Sequence, residues 1–439
     1  MKKLRLGTAL LPLLVALEII GTTASALASG FAILEQSVRG LGNAFSGSAA
    51  AEDASTIFFN PAGLTRLSGN SAIGAGFYIF PSALFQNSSS TIVTGASLTG
   101  GNGGDGGANV FVPNLYTAWD LSDRIKLGLG INSPFGLKTE YDDDWVGRYY
   151  AVNSELLTIN INPTLAAKLT PNLSVGAGIN LQYAEAELSN AIDFGLIGFS
   201  NRLPTRPQAA DGFVELRGDD WSWGYNLGLL YEFSQRTRIG LAFRSSISHE
   251  LEGNADFSVP AAVAPLTATG RFRDAGVTTE LNLPETVSLS GYHQLNSRLA
   301  VTSDITWTNW SRFEELRIKF DNPVEPDSVQ PENWHDTFRY SLGVNYQLSN
   351  AWQLRAGVAY DPSPADEEYI TPRIPDSDRT WLAIGASFKP SDAISLEVGY
   401  AHLFVGDTEI NQVSTTSGTL KGEFDNSVDI VGLQLNWRF

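Results

Sequence analysis

The chain has 439 residues, no cysteine and a net charge of −18, from 29 basic against 47 acidic side chains. That acidity excludes a nucleic-acid binder that works by neutralising phosphates. The lack of cysteine excludes a disulfide scaffold, so backbone pairing and packing must hold the fold.

In chain order, residues 1–28 read as a secretory signal. Lys2, Lys3 and Arg5 form a basic start, Ala9 to Ile20 is mostly apolar but for Glu18, and Ala26-Leu27-Ala28 has the small-x-small pattern of a cleavage site. The run is too short to cross ~30 Å comfortably, so export with cleavage after Ala28 is expected in place of an anchor. No later stretch approaches the ~18 consecutive apolar residues of a spanning helix. An exported chain of this kind can cross a membrane only as a closed barrel, because only helices and barrels satisfy every backbone group in lipid.

Residues 29–69 are small, glycine-rich and do not alternate. Short helices are expected around Val38 to Asp53, with a turn at Asn60-Pro61-Ala62-Gly63. A segment of roughly forty residues cannot bury a core alone. Ile33, Leu34, Phe45, Ile57, Phe58, Phe59 and Leu64 are too apolar to trail in water, so a plug inside a barrel is expected over a free tail.

From residue 70 onward apolar and polar residues alternate with a period of two, as in a strand with one apolar and one wet face. Leu173, Val175, Ala177, Ile179, Leu181 and Tyr183 make one such face; Trp221, Trp223, Tyr225, Leu227, Leu229, Tyr231 and Phe233 make another. Fourteen segments follow this rule: 70–86, 109–121, 123–140, 152–169, 172–190, 220–234, 236–254, 277–296, 298–320, 335–349, 351–361, 379–389, 392–407 and 418–439. The number is even, as in single-chain bacterial barrels. Short turns such as Pro171-Asn172 and Ser349-Asn350 alternate with long connections at 87–108, 141–151, 191–219, 255–276, 321–334, 362–378 and 408–417. Short turns belong on the periplasmic side and long loops outside. The final strand, Val431 to Phe439, places Trp437 and Phe439 where an aromatic girdle meets the lipid–water boundary. The expected fold is therefore all-β: a transmembrane antiparallel 14-stranded β-barrel over 70–439, with an N-terminal, mostly helical hatch at 29–69 in its lumen. A soluble sandwich or propeller is the competing class.

Gly30-Phe31-Ala32, Gly40-Leu41-Gly42-Asn43-Ala44-Phe45-Ser46-Gly47, Glu52-Asp53-Ala54-Ser55 and Asn60-Pro61-Ala62-Gly63-Leu64 resemble the hatch of the outer-membrane long-chain fatty acid transporters, a family that includes importers of toluene and other aromatic hydrocarbons. Val112-Pro113-Asn114-Leu115-Tyr116, Asn132 to Tyr141, Leu281-Asn282-Leu283-Pro284-Glu285 and Trp307-Thr308-Asn309-Trp310-Ser311 continue the resemblance in order over the mature chain. It implies a hatch-plugged barrel in the outer membrane of a Gram-negative-type bacterium that carries hydrophobic molecules passively. Ligand is caught by extracellular loops, held in a pocket beside the hatch N-terminus at Gly30 and Phe31, and released sideways at an inward kink in the third strand.

Three further sets of site residues are expected. Asn132-Ser133-Pro134-Phe135-Gly136 interrupts the third strand; a proline inside a sheet donates no ladder bond, so the segment is either a kink or a strand end at the membrane rim. Phe194, Leu196 and Phe199 form an apolar patch in an outside loop, which marks either capture of ligand or packing against neighbouring loops. Asn60, Pro61 and Ala62 match the family's hinge between plug and wall, or are an ordinary turn. By the resemblance Arg317 matches a headgroup-binding basic residue, although it could equally pair with Glu314 or Glu315. The family's second basic residue is absent, with Asn190 near its place, which keeps neutral hydrocarbons open as ligands.

No cofactor or metal is expected: Asp142-Asp143-Asp144 lacks the spaced ligands of a calcium loop. An outer-membrane lipase is the enzymatic rival, but no G-x-S-x-G or H-E-x-x-H occurs. A general porin would have an open polar lumen. The expected partners are hydrophobic small molecules, outer-membrane lipid and lipopolysaccharide, and the barrel assembly machinery through the strand ending at Phe439. A monomer is expected.

Overall fold

The structure, a computed structural model, describes residues 30–439, and the expected signal segment at 1–28 lies outside the described residues. One antiparallel sheet rolls into a closed barrel. Its strands are β1 (Ser71–Asn87), β2 (Val110–Asp120), β3 (Ile125–Asn132, resuming at Gly136–Glu140), β4 (Asn153–Lys168) and β5 (Leu173–Asp193). Next come β6 (Asp211–Ser234), β7 (Thr237–Arg244 and Ile247–Ser258), β8 (Ala275–Leu283 and Thr286–Gln294) and β9 (Leu299–Thr308 and Glu315–Phe320). The wall ends with β10 (Ser328–Pro331 and Thr337–Gln347), β11 (Trp352–Asp361), β12 (Arg379–Phe388), β13 (Ile394–Val405 and Thr408–Ser414) and β14 (Gly418–Arg438). Pairing of β1 with β14, from Ser71↔Arg438 to Asn87↔Gly422, closes the cylinder at its seam.

The strands outrun the expected segments at their extracellular ends. β5 and β6 pair through to Asp193↔Asp211, so 191–193 and 211–219 of the connection expected at 191–219 are ladder. Thr408–Ser414 likewise pairs with β14 where a loop was expected. The reason lies in the pleat. On β6, even positions face the lumen along the whole strand. Near the membrane the outward set is apolar, with Trp221, Trp223, Tyr225 and Leu227 exposed, while Asn226 is buried inside. Higher up the polarity inverts with no slip in register: Val214 and Leu216 are buried, and Glu215 and Arg217 face out and pair. Lipid surrounds the lower wall and water the upper one, so the same alternation reverses its chemistry. Above the girdle, Val214, Leu216, Ala255, Val277 and Ile318 form an oily inner lining.

The hatch fills the lumen with α1 (Val38–Gly42), α2 (Thr56–Phe59) and short 3-10 turns at Ser48–Ala50 and Pro61–Arg66. It sits close because the wall offers glycines at inward positions. A methyl group at Gly357 of β11 would strike the Asn43 backbone, and one at Gly228 of β6 would strike the Asn60 side chain. Charges tie plug to wall: half-buried Arg39 donates to buried Glu397 of β13 (2.8 Å), and buried Arg355 of β11 lies 3.2 Å from both Glu397 and the half-buried Glu52.

Candidate functional site

The interruption of β3 turns inward and pairs with the hatch. Ile33 N–H donates to the Pro134 carbonyl (2.8 Å), Gly136 N–H donates to the Phe31 carbonyl (2.9 Å), and Ala32 bridges Phe135. Gln36 donates to the Ser133 carbonyl (2.8 Å) and accepts from Asn132 (2.9 Å). Asn132, Ser133, Pro134, Phe135 and Gly136 are all buried. Because the chain resumes as strand at Gly136, the segment is a kink and not a strand end.

The kink leaves a slot in the wall. β2 and β3 pair only from Leu115↔Ile131 to Asp120↔Lys126. Above that point Gly136–Glu140 pairs with β4, and Val110–Asn114 pairs with β1. Among the described residues only the bridge Gly107↔Thr139 spans the β2–β3 side there.

Behind the slot lies a cavity of about 1010 Å³, part of it open to solvent. Its apolar side is built by Ile33, Phe45, Phe58, Phe59, Phe135 and Trp310. Its polar end carries Arg244, Asp304, Arg339 and Asp361. Arg244 donates to Asn180 (2.7 Å) and to the Phe58 carbonyl (3.0 Å), with its guanidinium 4.3 Å from the centre of the Phe58 ring. Arg339 donates to the Ala44 carbonyl (3.0 Å), and its Nε lies 3.7 Å from Asp361, an ion pair without a hydrogen bond. An apolar chamber with one polar end, where two arginines stand among two carboxylates, fits an amphipathic ligand.

Gly30 and Phe31 stand at the chamber's margin. Gly30 N–H donates to Asp376 (3.0 Å), and its positive φ of 59° and the Trp334 ring leave no room for a side chain. The Phe31 ring is held edge-on by Trp310 (4.9 Å) and Phe313 (5.4 Å) and touches Trp334 (5.5 Å). Asn60 anchors the hatch from the other side: it caps its turn by accepting from Ala62 N–H (3.1 Å) and donates to the Leu229 carbonyl of β6 (3.1 Å). Pro61 and Ala62 press on Gly176 of β5.

Two expectations need correction. Arg317 is no interior cation: it is 40% exposed on the outer wall, paired with Glu315 (2.6 Å) and Asp327 (3.4 Å). On that upper stretch Ile318 is buried and takes the inner face, so Arg317 must point out. Phe194 is not an exposed capture residue either. Residues Phe194–Ser200 form a short helix, α3, capped by Asp193. Phe194 packs at 4.9 Å on Phe272 in a cluster with Val263 and Leu266. Leu196 is half-buried, and Phe199, 58% exposed, alone of the three meets solvent freely.

The cations that sequence reading missed carry a usable sign. Arg339 sits between Phe338 and Tyr340, both lipid-facing, so strand parity alone sends it into the lumen. Arg244 follows Phe243 in the same way. Arg373, from the β11–β12 loop, reaches across the mouth to Ser154 (2.9 Å) and to Asn190 (3.3 Å), so a cation does stand beside Asn190. Near it, burial pushes the Glu332 carboxyl up to about 8 although Arg373 pulls it down. Burial likewise lowers Arg373 to about 10.

Comparison with known proteins matches residues 19–439 to the family model described as outer membrane protein transport protein (OMPP1/FadL/TodX). The chain is 32% identical over 467 residues to outer membrane protein P1 of Haemophilus influenzae, covering 97% of this chain and 98% of that one. It is 30% identical over 452 residues to the long-chain fatty acid transport protein of Escherichia coli K12, covering 97% and 98%. A crystal structure of a Pseudomonas aeruginosa FadL homologue superposes with a TM-score of 0.87 at 25% identity, covering 93% of this chain and all of that one.

Proposed function

Because the chain belongs to the outer membrane protein transport family of OMPP1, FadL and TodX, we propose that it takes up hydrophobic molecules with one acidic end, long-chain fatty acids being the leading class. Passage is passive and involves no catalytic step. The observation that carries this reading is the chamber with an aromatic side and two buried arginines, set directly behind a slot in the wall. An acyl chain gains ~0.8 kcal/mol per CH₂ by leaving water. A path that keeps it in apolar surroundings from capture to lipid therefore needs no energy source. Phe199 and Leu196 on α3 make the first contact, the oily upper lining passes the chain down, and Arg339 and Arg244 hold the carboxylate. The slot at Asn132 to Gly136 releases the ligand sideways once the pairing of Ala32 with Phe135 loosens.

The test is binding of oleate and of toluene to purified protein in detergent. Arg339→Ala is expected to weaken oleate by about 1.5–3 kcal/mol, the worth of a hydrogen bond to a charged group, and to leave toluene unchanged. Equal effects on both, or none on oleate, would move the reading to neutral hydrocarbons. We further assign the strand ending at Phe439, whose ring rests 4.8 Å from that of Trp437, as the contact for the barrel assembly machinery. The chain works as a monomer with lipopolysaccharide around its upper wall.

A further inference from the structure

The chamber is not the only space in the barrel. A second space of about 460 Å³, part of it open to solvent, lies between the plug and the wall residues Asn345 and Arg355, and a third of about 790 Å³, also partly open, lies below it among the short turns. Phe45, Ser48 and Phe59 line both the chamber and the plug cavity. Arg39, Glu52 and Asp53 line both the plug cavity and the lower one. The three spaces thus form a string from chamber to periplasmic rim, separated by two narrow partitions. The upper partition is the aromatic pair Phe45–Phe59, with ring centres 6.1 Å apart. The lower one is ionic: Arg39 lies 3.5 Å from Asp53 and 3.8 Å from Glu52, and Glu52 reaches Arg355 at 3.2 Å. Only the upper partition is apolar.

We propose that this string is a water vent through the plug, closed to the hydrophobic ligand. The inference rests on the carrier reading for its purpose, though not for its existence. A chamber of this size with buried arginines holds on the order of ten or more waters when no ligand fills it. A greasy molecule coming from above must displace them. It blocks the way back up, and the slot faces hydrocarbon, which accepts no water. An aqueous outlet below lets the chamber dry as the ligand seats. The partly solvated Arg39–Glu52 pair passes water readily but repels an acyl chain, so ligand is turned to the slot while water leaves downward.

Steady current in planar bilayers tests this, with heat-modifiable gel mobility confirming a closed barrel. Wild type is expected to conduct little. Phe45→Ala removes the aromatic partition and should raise the current on the order of tenfold, as hydrophobic constrictions gate by dewetting. The chain has no native cysteine, so in Phe45→Ala/Ser48→Cys a charged methanethiosulfonate should abolish the added current. Should Phe45→Ala fail to fold, Ser48→Cys alone in oriented vesicles should react with the same reagent from the short-turn side. A folded Phe45→Ala with wild-type current, an added current untouched at Ser48, or an unreactive Ser48→Cys overturns the vent. Loss of oleate binding with the current intact would instead sink the carrier reading and leave the vent standing.

Discussion

Arg317 and Arg339 are the same residue type on neighbouring strands, and the wall gives them opposite environments. Arg317 lies outside between two carboxylates, where water and salt screen the ion pair. Arg317→Ala is therefore expected to leave oleate affinity and thermal stability unchanged within error, in contrast to Arg339→Ala. Glu332 makes a second residue-scale case. Its buried carboxyl keeps a proton up to about 8, whereas the unfolded chain releases it near 4.5. Between those values the folded state binds the extra proton, so stability falls as pH rises through the window, by at most about 1.4 kcal/mol per unit. Glu332→Gln should flatten that slope. Melting of the folded barrel at both ends of the window measures it, and an unchanged slope would show that Arg373 neutralises the site fully.

At the scale of elements, the hatch N-terminus and the kink of β3 act as one unit, since Ile33, Gly136 and Phe31 exchange backbone hydrogen bonds across them. Ala32 and Phe135 are directly opposed bridge partners. Antiparallel partners sit ~4.5–5.5 Å apart at Cα, within disulfide reach. Ala32→Cys/Phe135→Cys should oxidise readily, block oleate uptake by cells, and recover uptake on reduction. Uptake that continues in the oxidised protein would place the exit elsewhere. The interruption was legible in the sequence because Pro134 breaks the strand pattern, but the residues alone left kink and strand end open and only the family resemblance favoured the kink. The pairing that bends it was not legible, because Gly30-Phe31-Ala32-Ile33 has no local periodicity and finds its partner about a hundred residues away. α3 shows the same limit from the other side. Phe194, Leu196 and Phe199 read as one patch, but helical spacing turns Phe194 toward Phe272 and leaves Phe199 outside.

The molecule as a whole is a lower barrel in lipid and an upper barrel in water joined in one ladder, with a plug at the level of the join. Period two reveals the lower part because Trp223 and Asn226 see different media. It misleads about the upper part, where Val214 and Leu216 turn inward and a basic residue at Arg317 faces away from the lumen. The wall closes through β1 and β14 without any hatch residue in the ladder, whereas many inward glycines and buried charges are matched to the plug. Removing residues 30–67 should therefore leave a barrel that still closes and still shifts in gel mobility on heating, because its backbone pairing is intact. Arg355, Glu397 and Arg238 would then face water in place of Glu52, Arg39 and the Ala49 carbonyl. The pore they line should conduct ions steadily, as an unplugged barrel of this strand number has room for a water-filled lumen. Its melting temperature should drop, since the packing of α1 and α2 on the wall is lost. A plugless chain that fails to close would mean that the hatch templates the wall, and that plug and barrel fold as one unit.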